Sequence, residues 1–241
     1  MRNDILVFLF VFVVLSSTKA QSLIGAWETQ IDANIEGNKT TVTLFFLFSK
    51  RHHVAAAYHT KTGAYMATFG GSYSLQDTTL TQTIEFDSEN SDRIGKTKSY
   101  SIEFNDEELL IKGDDLKLKR IDKGTPGDLA GAWLISSRMR DGALQKRDTN
   151  RPRKTMKVLS GTRFQWIAYN TETKEFMGTG GGTYTTVDGK YTENIQFFSR
   201  DDSRVGTSLQ FNYELKEGYW HHSRLSSKGK PIYEVWSVRT Q

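Results

Sequence analysis

The chain has 241 residues, a formal charge of +4 and no cysteine, which suggests one or two domains. So mild a charge argues against nucleic acid as a partner, and the lack of cysteine excludes disulfides and thiolate metal sites. Stability must therefore come from burying a core.

The first twenty residues stand apart. Arg2 precedes the apolar run Ile5 to Leu15, and Ser16 to Ala20 are small or polar. This is the pattern of a secretory signal cleaved after Ala20. The competing reading is a membrane anchor, but the apolar run is short of the roughly twenty residues a span needs. No Cys follows it, so lipoprotein-type attachment is excluded. The expected mature protein is secreted or periplasmic, is not membrane-spanning, and carries +3 once Arg2, Asp4 and Lys19 are removed.

The rest is a duplication. Tyr58 to Asp87 recurs as Tyr169 to Phe198 at a constant offset of 111, and Leu23-Ile24-Gly25-Ala26-Trp27 recurs as Leu129-Ala130-Gly131-Ala132-Trp133. Breaker-rich residues Lys123 to Gly127 lie between the copies. The expected division is 1–20 signal, 21–123 first barrel, 124–128 linker and 129–241 second barrel.

Period-two alternation predicts eight strands per copy. In copy one they fall at about 24–31, 39–47, 52–58, 65–75, 78–86, 95–104, 107–113 and 115–121. In copy two they fall at about 131–137, 154–159, 162–169, 175–186, 189–198, 205–215, 218–226 and 231–239. Helical periodicity is absent beyond a turn or two. The predicted class is all-β: two tandem small eight-stranded antiparallel barrels, since closure removes exposed edges. A two-sheet sandwich is the alternative.

The alternation also predicts facing. Leu80, Gln82, Ile84 and Phe86 point inward in copy one, and so do Tyr191, Glu193, Ile195 and Phe197 in copy two. Phe164, Trp166, Tyr184, Phe211, Tyr213, Trp220, His222 and Trp236 are expected to share that interior, with Glu234 beside Trp236. Gly178, Gly180 and Gly182 fall on the inward face ahead of Tyr184. They either bend the sheet or leave room for a ligand against bare backbone. The basic run Arg147 to Lys157 reads as a solvated loop and strand edge, with an anion-binding rim as the alternative.

A Gly-x-Trp at the first strand of an eight-stranded barrel resembles the lipocalin–avidin group, the calycins. That resemblance implies a Trp closing one barrel end against an Arg of the last strand, here Trp27 with Arg120 and Trp133 with Arg239. Copy two also resembles the lipocalin-like domains of exported Bacteroidetes proteins, a group without established function. The residues concerned are Phe164 to Tyr169, Gly178 to Tyr184, Tyr191-Thr192-Glu193, Trp220-His221-His222-Ser223 and Glu234-Val235-Trp236. Copy one departs at Ala55, Gln82 and Leu109-Leu110-Ile111-Lys112. The resemblance implies binding and names no ligand.

A buried acid is costly unless paired, so Glu193 needs a partner. Three roles are open: a strut bonded to His222, a Tyr or a Trp; recognition of a ligand; or general base with His222. No nucleophile or phosphate-loop motif accompanies it. His52-His53 and His221-His222 are strand neighbours that point to opposite faces, which argues against a metal centre. The expected function is binding of a small apolar or aromatic ligand in the second barrel. Its site is Phe164, Trp166, Tyr184, Glu193, Phe211, Tyr213, Trp220, His222, Glu234 and Trp236. No cofactor, metal or catalytic residue is expected. A fully packed envelope module and an enzyme using Glu193 and His222 are the alternatives.

Overall fold

The computed structural model describes residues 22–35, 37–125, 127–226 and 229–240. The expected signal segment lies outside the described residues. The first barrel runs β1 (Gly25–Ile35), β2 (Asn38–Phe48), β3 (His52–His59), β4 (Tyr65–Gln76), β5 (Thr79–Asp87), β6 (Thr97–Phe104), β7 (Glu108–Ile111) and β8 (Leu116–Asp122). Each strand is antiparallel to the next, and β8 closes on β1.

The second barrel runs β9 (Gly131–Arg140), β10 (Ala143–Lys146), β11 (Arg153–Leu159), β12 (Arg163–Asn170), β13 (Phe176–Val187), β14 (Lys190–Phe198), β15 (Ser208–Lys216), β16 (Tyr219–Leu225) and β17 (Pro231–Val238). β9 and β11 to β17 form the ring, closed by β17 on β9. β10 is an unanticipated ninth strand, paired with the far end of β9. The architecture is thus two tandem eight-stranded barrels and not a sandwich. No helix among the described residues is long and apolar enough to cross a membrane.

The copies share their fastenings. Tyr73 donates its hydroxyl to the Ser49 carbonyl, and Tyr184 to that of Ser160, both at 2.6 Å. Trp27 donates its indole N–H to Leu23 at 2.9 Å and Trp133 to Leu129 at 2.8 Å. Arg120 lies 3.9 Å over the Trp27 ring, as the resemblance implied. The second expected pair is not built. Register sets Val238 opposite Trp133, where Arg120 stands opposite Trp27. Arg239 is one residue further on and faces away. It bonds both Glu85 carboxylate oxygens at 2.8 Å and the Tyr169 hydroxyl at 3.0 Å.

Glu85 belongs to the other barrel, and the two barrels form one packed body. The outward faces of β2 and β3 meet those of β11 and β12 in a single core with Phe45, Leu47, Ala56 and Tyr58 on one side and Met156, Val158, Ile167 and Tyr169 on the other. These are the same positions of the two copies, so the seam is a pseudo-twofold contact. Phe197 stacks on Tyr58 at 5.0 Å, and Phe86 lies 4.9 Å from Tyr169. Buried Gln165 donates to Thr68 at 2.8 Å and to its counterpart Thr179 at 2.9 Å. Asp122 accepts from Gly124, Ser160, Gly161 and Thr162, which pins the linker.

Phe86 and Phe197 were expected inside their barrels. A register shift at Gly70/Gly71 and another at Gly181/Gly182 put a bulge into β5 and β14, and the last residues change face. Gly182 is obligatory there: its φ is +156°, and a Cβ would lie 2.0 Å from the Asn194 carbonyl oxygen.

Arg239→Ala leaves half-buried Glu85 with only the Tyr169 hydroxyl as a donor, and we expect it to cost about 2 kcal/mol. Urea unfolding should stay a single transition, because neither barrel can shed the other without exposing the seam. Two separate transitions in the wild type would contradict this.

Candidate functional site

Glu193 does not meet His222. β14 carries it into the second barrel, where it is 4% exposed, and Lys157 from β11 donates to it at 2.7 Å. The Tyr191 hydroxyl, two residues away on the same face, donates to the same oxygen at 2.8 Å. Burial and then the Glu193 charge raise the Tyr191 pKa well above its ordinary value, keeping it a donor.

The reading of Lys157 as part of a solvated run is therefore corrected. Its ammonium is held among rings, 5.0 Å from Tyr191, 5.0 Å from Trp220, 5.1 Å from Trp236 and 5.8 Å from Phe211. Such contacts stabilise a cation by about 0.5–2 kcal/mol when desolvated. Lys157 is in register with Trp133 and Trp166, and its counterpart in copy one is Phe46, which pairs with Trp27 and Ala55. Copy one thus has Phe46 with Gln82 where copy two has Lys157 with Glu193.

The other sequence-predicted residues divide into three groups. Trp220, Trp236, Phe211 and His222 surround Lys157: His222 lies 3.9 Å from Phe211 and 5.4 Å from Trp220, and Trp220 5.7 Å from Trp236. Phe164, Tyr184 and Tyr213 lie towards the closed end, the tyrosine hydroxyls turned to Ser160 and, at 3.4 Å, to Asp128. Trp166 lies further along β12, its ring 5.5 Å from Phe198. A Cβ at Gly180 would come within 2.7 Å of both the Trp166 and Phe198 rings. Copy one has the reverse arrangement, small Ala55 and large Phe69, around an apolar cavity of about 70 Å³. The space left by Gly180 is filled by protein.

His222 is 3% exposed, and neither ring nitrogen has a hydrogen-bond partner. Glu234 is its nearest acid, at 3.6 Å. Burial, and then the Lys157 and Arg224 charges, push the His222 pKa well below 6.5, so the ring is neutral. Burial raises the Glu234 pKa, opposed by Lys157. The indole nitrogen of Trp220 is also buried without a partner, whereas that of Trp236 is turned to Glu234. The site is a packed aromatic interior around one ion pair, with three unpaired polar ring atoms on His222 and Trp220. Among the described residues no group of three metal-ligating side chains occurs.

Residues 128–240 match the family model of a domain of unknown function, DUF4488. The match covers the second barrel and less than half the chain. No curated protein matches. Among solved structures, the chain is similar at 8% identity to the Helicobacter pylori beta clamp bound to a DNA ligase peptide, covering 93% of this chain and 59% of that one. The chain thus spans a little over half the length of that structure, and the TM-score of 0.16 carries no shared architecture. The DUF4488 match singles out the copy that holds the ion pair.

With Lys157 beside Glu193, Glu193→Gln strands a buried ammonium, and we expect a loss of about 3–5 kcal/mol. Lys157→Phe with Glu193→Gln installs the Phe46 and Gln82 of copy one, and should recover to within about 1 kcal/mol of wild type by urea unfolding. A double variant as unstable as Glu193→Gln would refute this account.

Acid should also destabilise the fold. The His53 pKa is pushed to about 3 by burial, with His52 and Arg93 adding to the effect, and His222 is shifted the same way. Below the unfolded value of about 6.5 the unfolded chain binds the extra protons. Stability is therefore full above that pH and falls beneath it by about 1.4 kcal/mol per pH unit for each histidine. His222→Ile, the residue at Ile111 of copy one, should remove about half of that slope between pH 6 and 5.

Proposed function

We propose that the protein is an exported, non-enzymatic binding protein of lipocalin-like build. In this reading the interior of the second barrel takes a small, largely apolar or aromatic ligand carrying a hydrogen-bond acceptor. One observation carries it. At equivalent positions copy one has Phe46, Gln82, Leu109 and Ile111, and copy two has Lys157, Glu193, Trp220 and His222. Copy one closes its barrel without the polar set, so the fold does not require it. Buried polar atoms left unpaired cost about 1–3 kcal/mol each, and interiors with a few converging polar groups among rings suit small molecules. The Trp220 indole N–H, buried without a partner, and an ammonium favour an acceptor. Export is supported by the Arg2 and Ile5–Leu15 pattern. The separation of Glu193 from His222 weighs against catalysis by that pair.

The packing favours a second reading. The rings around Lys157 and His222 lie against one another, so a ligand must displace some of them to reach His222. A packed envelope module needs no such movement.

A thermal-shift screen of aromatic and aliphatic carboxylates separates the two. Binding at a hundredfold excess over Kd should add about 2.7 kcal/mol of stability. A variant carrying Trp220→Leu and His222→Ile should fold and lose the shift. No shift in the wild type across the library would leave the packed module standing.

A further inference from the structure

The second barrel has a rim that the first lacks. β9 and β10 form a hairpin beyond the ring, with Met139 opposite Leu144 and Arg138 opposite Gln145. Strand alternation puts Met139 and Leu144 on one face of this ribbon and Arg138 and Arg140 on the other. Met139 is 38% and Leu144 48% exposed. The β16–β17 hairpin ends on the same rim: Glu234 pairs with Arg138, and Leu225, 66% exposed, pairs with Pro231 three residues further out.

Cations surround these apolar side chains. Residues 138–154 hold seven Lys or Arg and two Asp, a net of +5 against +4 for the whole chain. Arg147 lies within electrostatic reach of Arg153 and Arg138, with Glu234 the acid among them. Among the described residues Arg138, Arg140, Lys146, Arg147, Arg151 and Arg153 form no ion pair. The matching hairpin of the first barrel, residues 25–48, holds Glu28, Asp32 and Glu36 against one Lys39. The basic rim is therefore not a property of the fold.

We infer that this rim docks on an anionic lipid bilayer, the cations meeting headgroups while Met139, Leu144 and Leu225 enter the interface. Charge complementarity selects an anionic partner. The projecting apolar residues select a bilayer over a soluble polyanion, which offers them nothing to enter.

Flotation with phosphatidylglycerol–phosphatidylcholine vesicles tests this. The mature chain, residues 21–241, should bind these vesicles, dissociate in high salt and ignore vesicles of phosphatidylcholine alone. Reversal of three exposed charges, Arg140→Glu, Lys146→Glu and Arg151→Glu, should weaken binding roughly a hundredfold with an unchanged unfolding midpoint. Met139→Ser with Leu144→Ser should weaken vesicle binding and leave binding to heparin, a soluble polyanion, unchanged. No binding to the anionic vesicles, equal binding to neutral ones, or indifference to charge reversal would overturn the inference. Wild-type affinity for vesicles in the Met139/Leu144 variant would overturn the bilayer in favour of a polyanion.

Discussion

The seam between the barrels decides where the rest of the chain points. It takes Met156 and Val158 of β11 outward into the second barrel's partner, and strand alternation then leaves Lys157 no place but the interior. A desolvated ammonium requires an anion, and Glu193 lies within 2.7 Å of it. The aromatic side chains that shield the pair are those that would otherwise have filled a plain core. One apolar contact on the outside thus determines the chemistry of the inside. The same contact explains the bulges in β5 and β14, which turn Phe86 and Phe197 from their own barrels into the shared core.

The two copies act as each other's control. Backbone, fastening tyrosines and tryptophan–carbonyl bonds are held in common, so these belong to the fold. What differs belongs to one barrel: Lys157, Trp166, Glu193, Trp220 and His222 on one side, Phe46, Ala55, Gln82, Leu109 and Ile111 on the other. The exchange of Ala55 and Phe69 for Trp166 and Gly180 conserves bulk while moving it from one strand to its neighbour. The exchange of Phe46 and Gln82 for Lys157 and Glu193 adds a buried ion pair, which is rarely favourable against an apolar alternative. Its presence is what makes the second interior a candidate site.

Much of the fold was legible because alternation and duplication are local or self-referring signals. Strand positions followed from the period of two, and closure followed from the number of strands. The site was half legible. Glu193 and the rings were placed inward correctly, since their strand has a polar outer face. Lys157 was misplaced because its strand is apolar on both sides, TMKVL, and a lysine among apolar neighbours reads as the exposed member. The signal that corrects it was present: Phe46 at the matching position, and β2 with Phe45 and Leu47 apolar on the face that a lone barrel would give to water. Arg239 was misplaced by one residue for a related reason. A bulge between β9 and β17 shifts the register, and bulges leave no mark in the period.

The sequence by itself determined two tandem β-barrels, the lack of disulfides and an acid on an apolar strand face. These depend on neighbours along the chain, or on comparing the chain with itself. The tertiary structure alone decided that the barrels share a core, that Lys157 is Glu193's partner, and that His222 stays unpaired. Those outcomes depend on which of two apolar faces finds the larger apolar surface to cover it, and that surface lies more than a hundred residues away.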